Sequence, residues 1–342
     1  MSVRKYLARR LLMLPLILLG VILIVFTILQ CFSPAQRAIA YIQSTEDMLY
    51  INDIIKKYHL DDPPYIQFLY WFDNLLHGNL GFSVSARMPV SQAILTFFPA
   101  TVELVMLAIP LLLIIGTLFG ILSAVYRDSL IDHFVRVFSI GAWSMPTFWS
   151  GIILLAIFYG GLGMFPPGRL STQIALSLIQ NPIHQYTGIY IIDGVLNGRF
   201  DVAWDSLNHV FLPSLNLAIL SSALPMRIMR SSMLEVLGKD YIAAAKAKGL
   251  SKWVVIWKHA VKNAIIPLIT VSGIMVANLL TGVVITETVF AYPGLGYFAA
   301  GAARSLDMPG VLGFAIFAAV IYTIVNLVVD LLYAVIDPRI RY

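Results

Sequence analysis

The stretch Lys239–Thr270, KDYIAAAKAKGLSKWVVIWKHAVKNAIIPLIT, carries six lysines, three consecutive alanines and a single glycine. It is too charged to cross a bilayer and too regular to be a linker. Gly238 just before it is a natural helix stop, and Asp240 stands where an N-cap is expected. YIAAAKAK is then strongly helix-prone, and its adjacent alanines leave room for another surface to approach closely. Gly249 ends that helix and Ser251 is placed to cap the next. From Trp253 the apolar positions 253, 256, 257, 260, 261 and 264 fall on one helical face, with Lys258, His259 and Lys262 opposite. A basic amphipathic helix on anionic lipid accounts for the lysines and tryptophans. The alanine patch closed by a glycine favours a docked protein partner instead.

The rest of the chain explains why such a segment stands out. Of 342 residues, 59% are hydrophobic and 12% charged, with mean hydropathy +0.83. Charged residues in a soluble domain are about twice as frequent. Apolar runs long enough for about 20 helical residues recur, which predicts an all-α, polytopic membrane protein. Six spans are expected, at about 11–31, 103–125, 137–159, 210–226, 265–286 and 311–334. The fourth is short, bounded by Pro213 and Pro225, and contains Asn216, Ser221 and Ser222. Polar groups at membrane depth are tolerated where they face protein or a water-filled cavity. Pro213, Asn216, Ser221 and Ser222, with Glu287 near the outer end of the fifth span, are therefore the expected wall of a path. Interhelical hydrogen bonding is the competing account.

With the N-terminus inside, 16 of the 23 Lys and Arg fall on the inner side, and this bias orients both termini toward the cytoplasm. Membrane topology thus accounts for the net charge of +5 without nucleic acid. Two outer loops result, at about 33–102 and 160–209. In the first, aromatic-rich Tyr65 to Leu76 reads as an interfacial helix and HGNLG as a turn. In the second, Ile189 to Leu196 is too short to span. Arg4, Lys5, Arg9 and Arg10 ahead of the first run mimic a signal peptide, but the run is too long and no A-x-A site comes after it. Cys31, the single cysteine, excludes an intrachain disulfide, and Gln30 before it argues against lipidation.

Catalytic and metal constellations are not expected. The six histidines are isolated singles, and no H-E-x-x-H, paired-Cys, G-x-S-x-G or G-x-x-x-x-G-K-[ST] pattern occurs. GGLG at 160–163 and PGLG at 293–296 lack the strand–helix context of a dinucleotide site. Glu103, Glu287 and Asp330 lie near span ends, where a local partner is the commoner explanation of a membrane carboxylate. An ion-coupled carrier would place carboxylates at mid-membrane. Trp143, Phe148 and Trp149 read as packing or interface anchors.

DYIAAAKAKGL resembles the cytoplasmic EAA loop of ATP-binding-cassette (ABC) importer permeases, in the form found in the peptide-importer branch. The resemblance extends through GNLGFSVSARMPV, FPATVEL, SMPTFWSGI, HVFLPSLNLAI, RSSMLEVLGKDY, HAVKNAIIPL, ETVFAYPGLG and LVVDLLYAVIDPRIRY. Together these are similar to the B-type permease subunit of dipeptide and oligopeptide importers. Ala243 stands where the wider family has Glu, and Pro267 lies 18 residues beyond Gly249, a spacing usual in the peptide branch.

The resemblance implies an ABC importer type I-like permease fold in the cell inner (cytoplasmic) membrane. It divides the chain into a cytoplasmic N-terminus (1–10), a first span (11–31), an extracytoplasmic loop (32–102) and a permease domain (103–342) with a coupling loop at 227–264. It implies a second homologous permease subunit, two cytoplasmic ABC ATPases that bind ATP and Mg, an extracytoplasmic solute-binding protein and surrounding lipid. No cofactor belongs to this chain. The ATPase-coupling residues it implies are Asp240, Tyr241, Ala244, Ala245, Lys246, Lys248, Gly249 and Leu250. A non-peptide solute (an oligosaccharide or a metal chelate) and an ion-coupled secondary transporter are the alternatives.

Overall fold

The computed structural model describes residues 3–42, 47–281 and 283–336. In chain order the helices are α1 (Val3–Leu29), α2 (Pro34–Ala38), α3 (Ile51–Lys57), α4 (Pro64–Leu76), α5 (Val90–Val125), α6 (Leu130–Ser144), α7 (Thr147–Leu154), α8 (Thr172–Gln180) and α9 (Tyr190–Leu196). They continue as α10 (Phe200–Ser221), α11 (Ala223–Leu237), α12 (Asp240–Ala247), α13 (Lys252–Val254), α14 (Lys262–Ala264), α15 (Ile266–Leu280), α16 (Val284–Val289), α17 (Leu295–Arg304) and α18 (Met308–Ile336). Two π-helical turns, Leu155–Gly161 and Val255–Val261, extend α7 and α13. One hairpin of two-residue strands, β1 (Phe82–Ser83) and β2 (Met88–Pro89), pairs antiparallel.

Among the described residues, two helical segments, α5 and Met308–Val329 of α18, are each long and apolar enough to cross a membrane. Three bent pairs reach that length when joined, and Pro15–Leu29 of α1 is a shorter apolar helix. Helices cover most of each expected span, but four differ from expectation. The segment at 137–159 is not one rod: α6 and the helix from Thr147 to Gly161 meet at 106°. Pro146 is the cause, because a residue before proline is pushed out of the α region, and Met145 has φ −80° and ψ 126°. The fourth span begins at Phe200 rather than 210, and a 44° bend separates α10 from α11 at Ser222. The fifth ends at Leu280, and the separate short α16 comes next. Helix α5 starts well before 103. Its 36 residues extend about 54 Å at the α-helical rise, more than a hydrocarbon core needs. The side chain of Asp330 lies outside the described residues.

The chain forms two compact units. One comprises Met1–Thr101, Leu280–Thr288 and Pro293–Tyr342. In it α1 packs along α18, and Phe26 of α1 meets Phe68 and Trp71 of α4 at 5.1 and 5.7 Å. The expected helix over Tyr65 to Leu76 is therefore α4, and its aromatics cover the C-terminal end of α1. The hairpin is fixed by buried Asp307, whose Oδ2 accepts hydrogen bonds from Ser83 Oγ, Ser85 Oγ and Ser85 N. Val90, Ala93, Ile94, Leu295 and Phe298 form its core, with Phe97 stacked on Phe298.

The other unit comprises Val102–Leu279 and Val289–Tyr292. Its helices α6, α10 and α11 pack together, and glycines of α5 allow close approach. A Cβ on Gly116 would lie 2.4 Å from Pro225 Cβ, and one on Gly120 would lie 2.6 Å from Met229 Cβ. Helix α9 is one short stretch laid against α10, and its Asp193 holds the preceding turn by accepting from Thr187 N, Thr187 Oγ1 and Gly188 N.

Candidate docking segment and buried polar clusters

The segment between α11 and α15 folds as helix, turn, helix. Helix α12 begins after Lys239, which takes the extended N-cap conformation, so Asp240 is the first helical residue and not the cap. No side chain caps that end, but the Asp240 carboxylate in the first turn suits the positive end of the helix dipole. The other end closes tightly. Leu250 N donates to Ala245 O at 3.4 Å, and Gly249 N donates to Lys246 O at 3.0 Å. This pairing of the last carbonyls is the Schellman arrangement, and it needs a left-handed residue at the position of Gly249. Gly249 has φ +77°, and nothing lies within 4 Å of where its Cβ would be, so backbone conformation and not crowding selects glycine there.

The two sides of α12 differ. Ile242 and Ala245 point inward, into a core built with Ile121, Ala124, Met229, Met233, Val255, Ile256, Ala260 and Ala264. Tyr241, Ala243, Ala244, Lys246, Lys248, Gly249 and Leu250 are exposed. Of the implied coupling residues, Ala245 therefore anchors α12 to its own chain. Asp240, Tyr241, Ala244, Lys246, Lys248, Gly249 and Leu250 present a continuous outer face. The face carries an aromatic ring, a bare methyl, two ammonium groups and a leucine.

The next helix departs from the expected face. Val255, Ile256, Ala260 and Ala264 are buried, whereas Trp253 and Trp257 are 56% and 48% exposed. The π-helical register over Val255–Val261 adds a residue to the turn and shifts the positions from Val255 onward against Trp253, which precedes it. Both indoles thus join Lys258 and Lys262 on the outside. Lys252 is held apart from them, its Nζ 4.9 Å from the ring of Tyr126.

The expected path residues behave otherwise. Pro213, Asn216, Ser222 and Glu287 are buried within the chain, and Ser221 alone keeps partial exposure. Asn216 Oδ1 accepts from Ser150 Oγ at 2.7 Å, and its Nδ2 donates to Thr147 O at 3.3 Å. Ser222 Oγ donates to Ile219 O at 2.7 Å. These groups join helices or satisfy their own backbone.

Glu287 organises the loop after it. Its Oε1 accepts from Thr101 Oγ1 at 2.7 Å and its Oε2 from Tyr297 N at 2.8 Å, while Leu295 N donates to the same Thr101 hydroxyl. A Cβ on Gly294 would fall 2.4 Å from Glu287 Cδ, so the glycines of AYPGLG let backbone wrap the carboxylate.

Glu103 is the centre of a second cluster. Arg169 Nε donates to its Oε2 at 2.8 Å, as does Tyr292 OH at 2.8 Å. Ser206 Oγ and Ile191 N donate to Oε1 at 2.9 and 3.0 Å. Arg169 also donates to Gly188 O and lies over the ring of Tyr190. Burial depresses the guanidinium's proton affinity, but the charge and hydrogen bond of Glu103 together with the neighbouring Tyr292 and Tyr190 outweigh it, and Arg169 sits above its ordinary pKa. Sequence alone signals the carboxylate and not its partners, because Arg169 and Tyr292 lie far from it along the chain. A third cluster has no sequence signal at all. Arg230 donates through Nε and Nη2 to buried Asp132, which also accepts from Ser123 and Asp128 N.

These features define a class: an all-α, multi-pass membrane component with a basic, Schellman-closed helix exposed on one face. The family of binding-protein-dependent transport system inner membrane components matches residues 116–342, and the chain belongs to it. The chain is 43% identical over 291 residues to a protein of Escherichia coli (strain K12) named "Probable D,D-dipeptide transport system permease protein", covering 85% of this chain and 84% of that one. It is 37% identical over 340 residues to the dipeptide transport system permease protein of Alkalihalophilus pseudofirmus, covering 98% and 99%. It is 34% identical over 338 residues to an oligopeptide transport system permease protein of Bacillus subtilis (strain 168), covering 98% and 99%.

Proposed function

We propose that the chain is a permease subunit of an ATP-driven importer of dipeptides or oligopeptides in the cytoplasmic membrane. It pairs with a second, homologous permease to enclose the path. Two cytoplasmic ABC ATPases supply the energy, and an extracytoplasmic binding protein delivers the solute. Both termini and the 227–264 segment face the cytoplasm. The permease assignment rests on the family, and the peptide class on the relatives' names.

The observation that carries the coupling role is the two-sided α12. Ile242 and Ala245 root it in the core around Met229 and Met233, and the opposite face is free. A short helix rooted in this way transmits rigid-body motion of a docked ATPase to α11 and α15, rather than dissipating it in a loop. Asp240, Tyr241, Ala244, Lys246, Lys248, Gly249 and Leu250 form the contact, and Ala245 positions it. An ion-coupled carrier is disfavoured, because Glu103 and Glu287 already accept hydrogen bonds on both oxygens.

Gly249→Asp tests the role. The variant is expected to insert in the membrane but to lose ATP-dependent peptide uptake in reconstituted complexes, with hydrolysis no longer stimulated by loaded binding protein. Uptake at the normal rate removes the coupling assignment. Uptake driven by an ion gradient through this chain alone removes the importer reading.

A further inference from the structure

We infer that the recess between α6 and α11 binds the phosphate headgroup of an anionic membrane lipid. Arg136, Ser139 and Ile140 of α6 face Arg227, Arg230 and Met226 of α11 across it. The charge balance is uneven. Arg230 is satisfied by Asp132, with two hydrogen bonds of 2.9 Å each. Among the described residues, Arg136 reaches the same carboxylate, its Nε 3.5 Å from Oδ1, and a ring nitrogen of His133. Arg227 has no carboxylate partner among them: its Nε donates to Ala223 O at 3.3 Å, and its guanidinium lies 4.9 Å from the ring of Trp143. Asp128, the next carboxylate, is paired to Arg127 at 3.3 Å. Two guanidinium groups therefore share one buried carboxylate and the third has none, so three positive charges face one negative charge at the recess.

A phosphate diester fits this deficit. Its anionic oxygens take forked N–H donors, the geometry that guanidinium offers. Basic pockets between membrane helices on the cytoplasmic side bind such headgroups. The surroundings select a lipid over a free ion. Phe134, Val137 and Ile140 form an exposed apolar stripe on α6 leading from the recess, and Trp143 is 61% exposed beside Arg227. Acyl chains lie along that stripe while the indole marks the interface. Ser123 at the recess floor neighbours Ala124 of the core beneath α12, so the site sits at the docking-segment end of α5. On the orientation proposed above, that is the inner leaflet. The inference does not depend on which solute is carried.

Native mass spectrometry of the assembled complex, exposed to equal amounts of phosphatidylglycerol and phosphatidylcholine, reads the site. The wild type is expected to retain phosphatidylglycerol at least fivefold over phosphatidylcholine. Arg136→Gln/Arg227→Gln should lower that retention at least fivefold, whereas Lys258→Gln/Lys262→Gln, which removes the same charge elsewhere, should preserve it. Equal retention by the recess variant overturns the inference. So does displacement of the lipid by millimolar inorganic phosphate, which would make this a free-anion site. If the recess variant does not assemble, the wild type decides: brominated phosphatidylglycerol must quench the emission lost in Trp143→Phe more strongly than brominated phosphatidylcholine at the same mole fraction, and equal quenching overturns the inference.

Discussion

Arg230 clasps Asp132 through two donors, Nε and Nη2, each 2.9 Å from a different carboxylate oxygen. The pair joins α11 to the first turn of α6, and Arg230 Nε also reaches Ser123 of α5. Three helices are thereby fixed beside the core that supports α12. Asp132 is fully buried while Arg230 keeps 24% exposure, so the charge most sensitive to loss of its partner is the carboxylate. Arg230→Gln should destabilise the protein by about 2 kcal/mol, below the usual range for a fully buried pair because water reaches the arginine. The unfolding midpoint in detergent measures it. A double-mutant cycle with Asp132→Asn should show coupling of about 1 kcal/mol or more. Additive single effects would mean that the contact carries no energy of its own.

Gly294 has an ordinary backbone conformation, φ −95°, yet its Cβ position is taken up by Glu287. Gly294→Ala should therefore displace the carboxylate from Thr101 and Tyr297, and lower assembled protein more than Gly301→Ala, where nothing lies within 4 Å. Expression and thermal stability of the two variants, side by side, check this. Equal behaviour would show that the loop opens without loss.

Glu103 accepts four hydrogen bonds, which predicts a structural and not a solute-selecting carboxylate. Glu103→Gln keeps the shape but leaves Arg169 without its counter-charge. It should reduce stability by about 3 kcal/mol, as expected for breaking a buried pair. Peptide preference should be unchanged in the protein that survives. Competition uptake assays with dipeptides and longer peptides read the preference, and a shift in ranking would place Glu103 on the path.

The division between what sequence reveals and what it hides tracks the range of each interaction. The α12–Gly249 break is local: a helix-prone run and one residue that tolerates positive φ suffice to locate it. The apolar runs likewise mark every span, because lipid imposes a length. The 106° bend is written in Met145–Pro146, but hydropathy averages across a proline and reads one rod. The burial of Asn216 and Glu287 goes with bonds to Ser150 and Thr101, distant in sequence, so polarity at membrane depth does not by itself reveal these partners. Charge counts locate Arg136, Arg227 and Arg230 on one side of the membrane. Only the packing of α6 on α11 shows that one aspartate serves two of them.

The π turn at Val255–Val261 makes the sharpest distinction, since a regular helix and the observed one expose different residues. A regular α-helix from Trp253 puts 253, 256, 257, 260, 261 and 264 on one face. The observed register buries Ile256 and Ala260 but turns Trp253 and Trp257 outward. In a Cys31→Ser background, which removes the single native thiol, Trp257→Cys should react quickly with a membrane-impermeant maleimide in inside-out vesicles. Ile256→Cys should react at least tenfold more slowly. The π turn is also expected to shield Val255→Cys, although a regular helix puts residue 255 on the polar side. Rapid labelling of Val255→Cys together with protection of Trp257→Cys would mean that the regular helix is the one present, and the two indoles would then belong to the core rather than to the lipid or ATPase side.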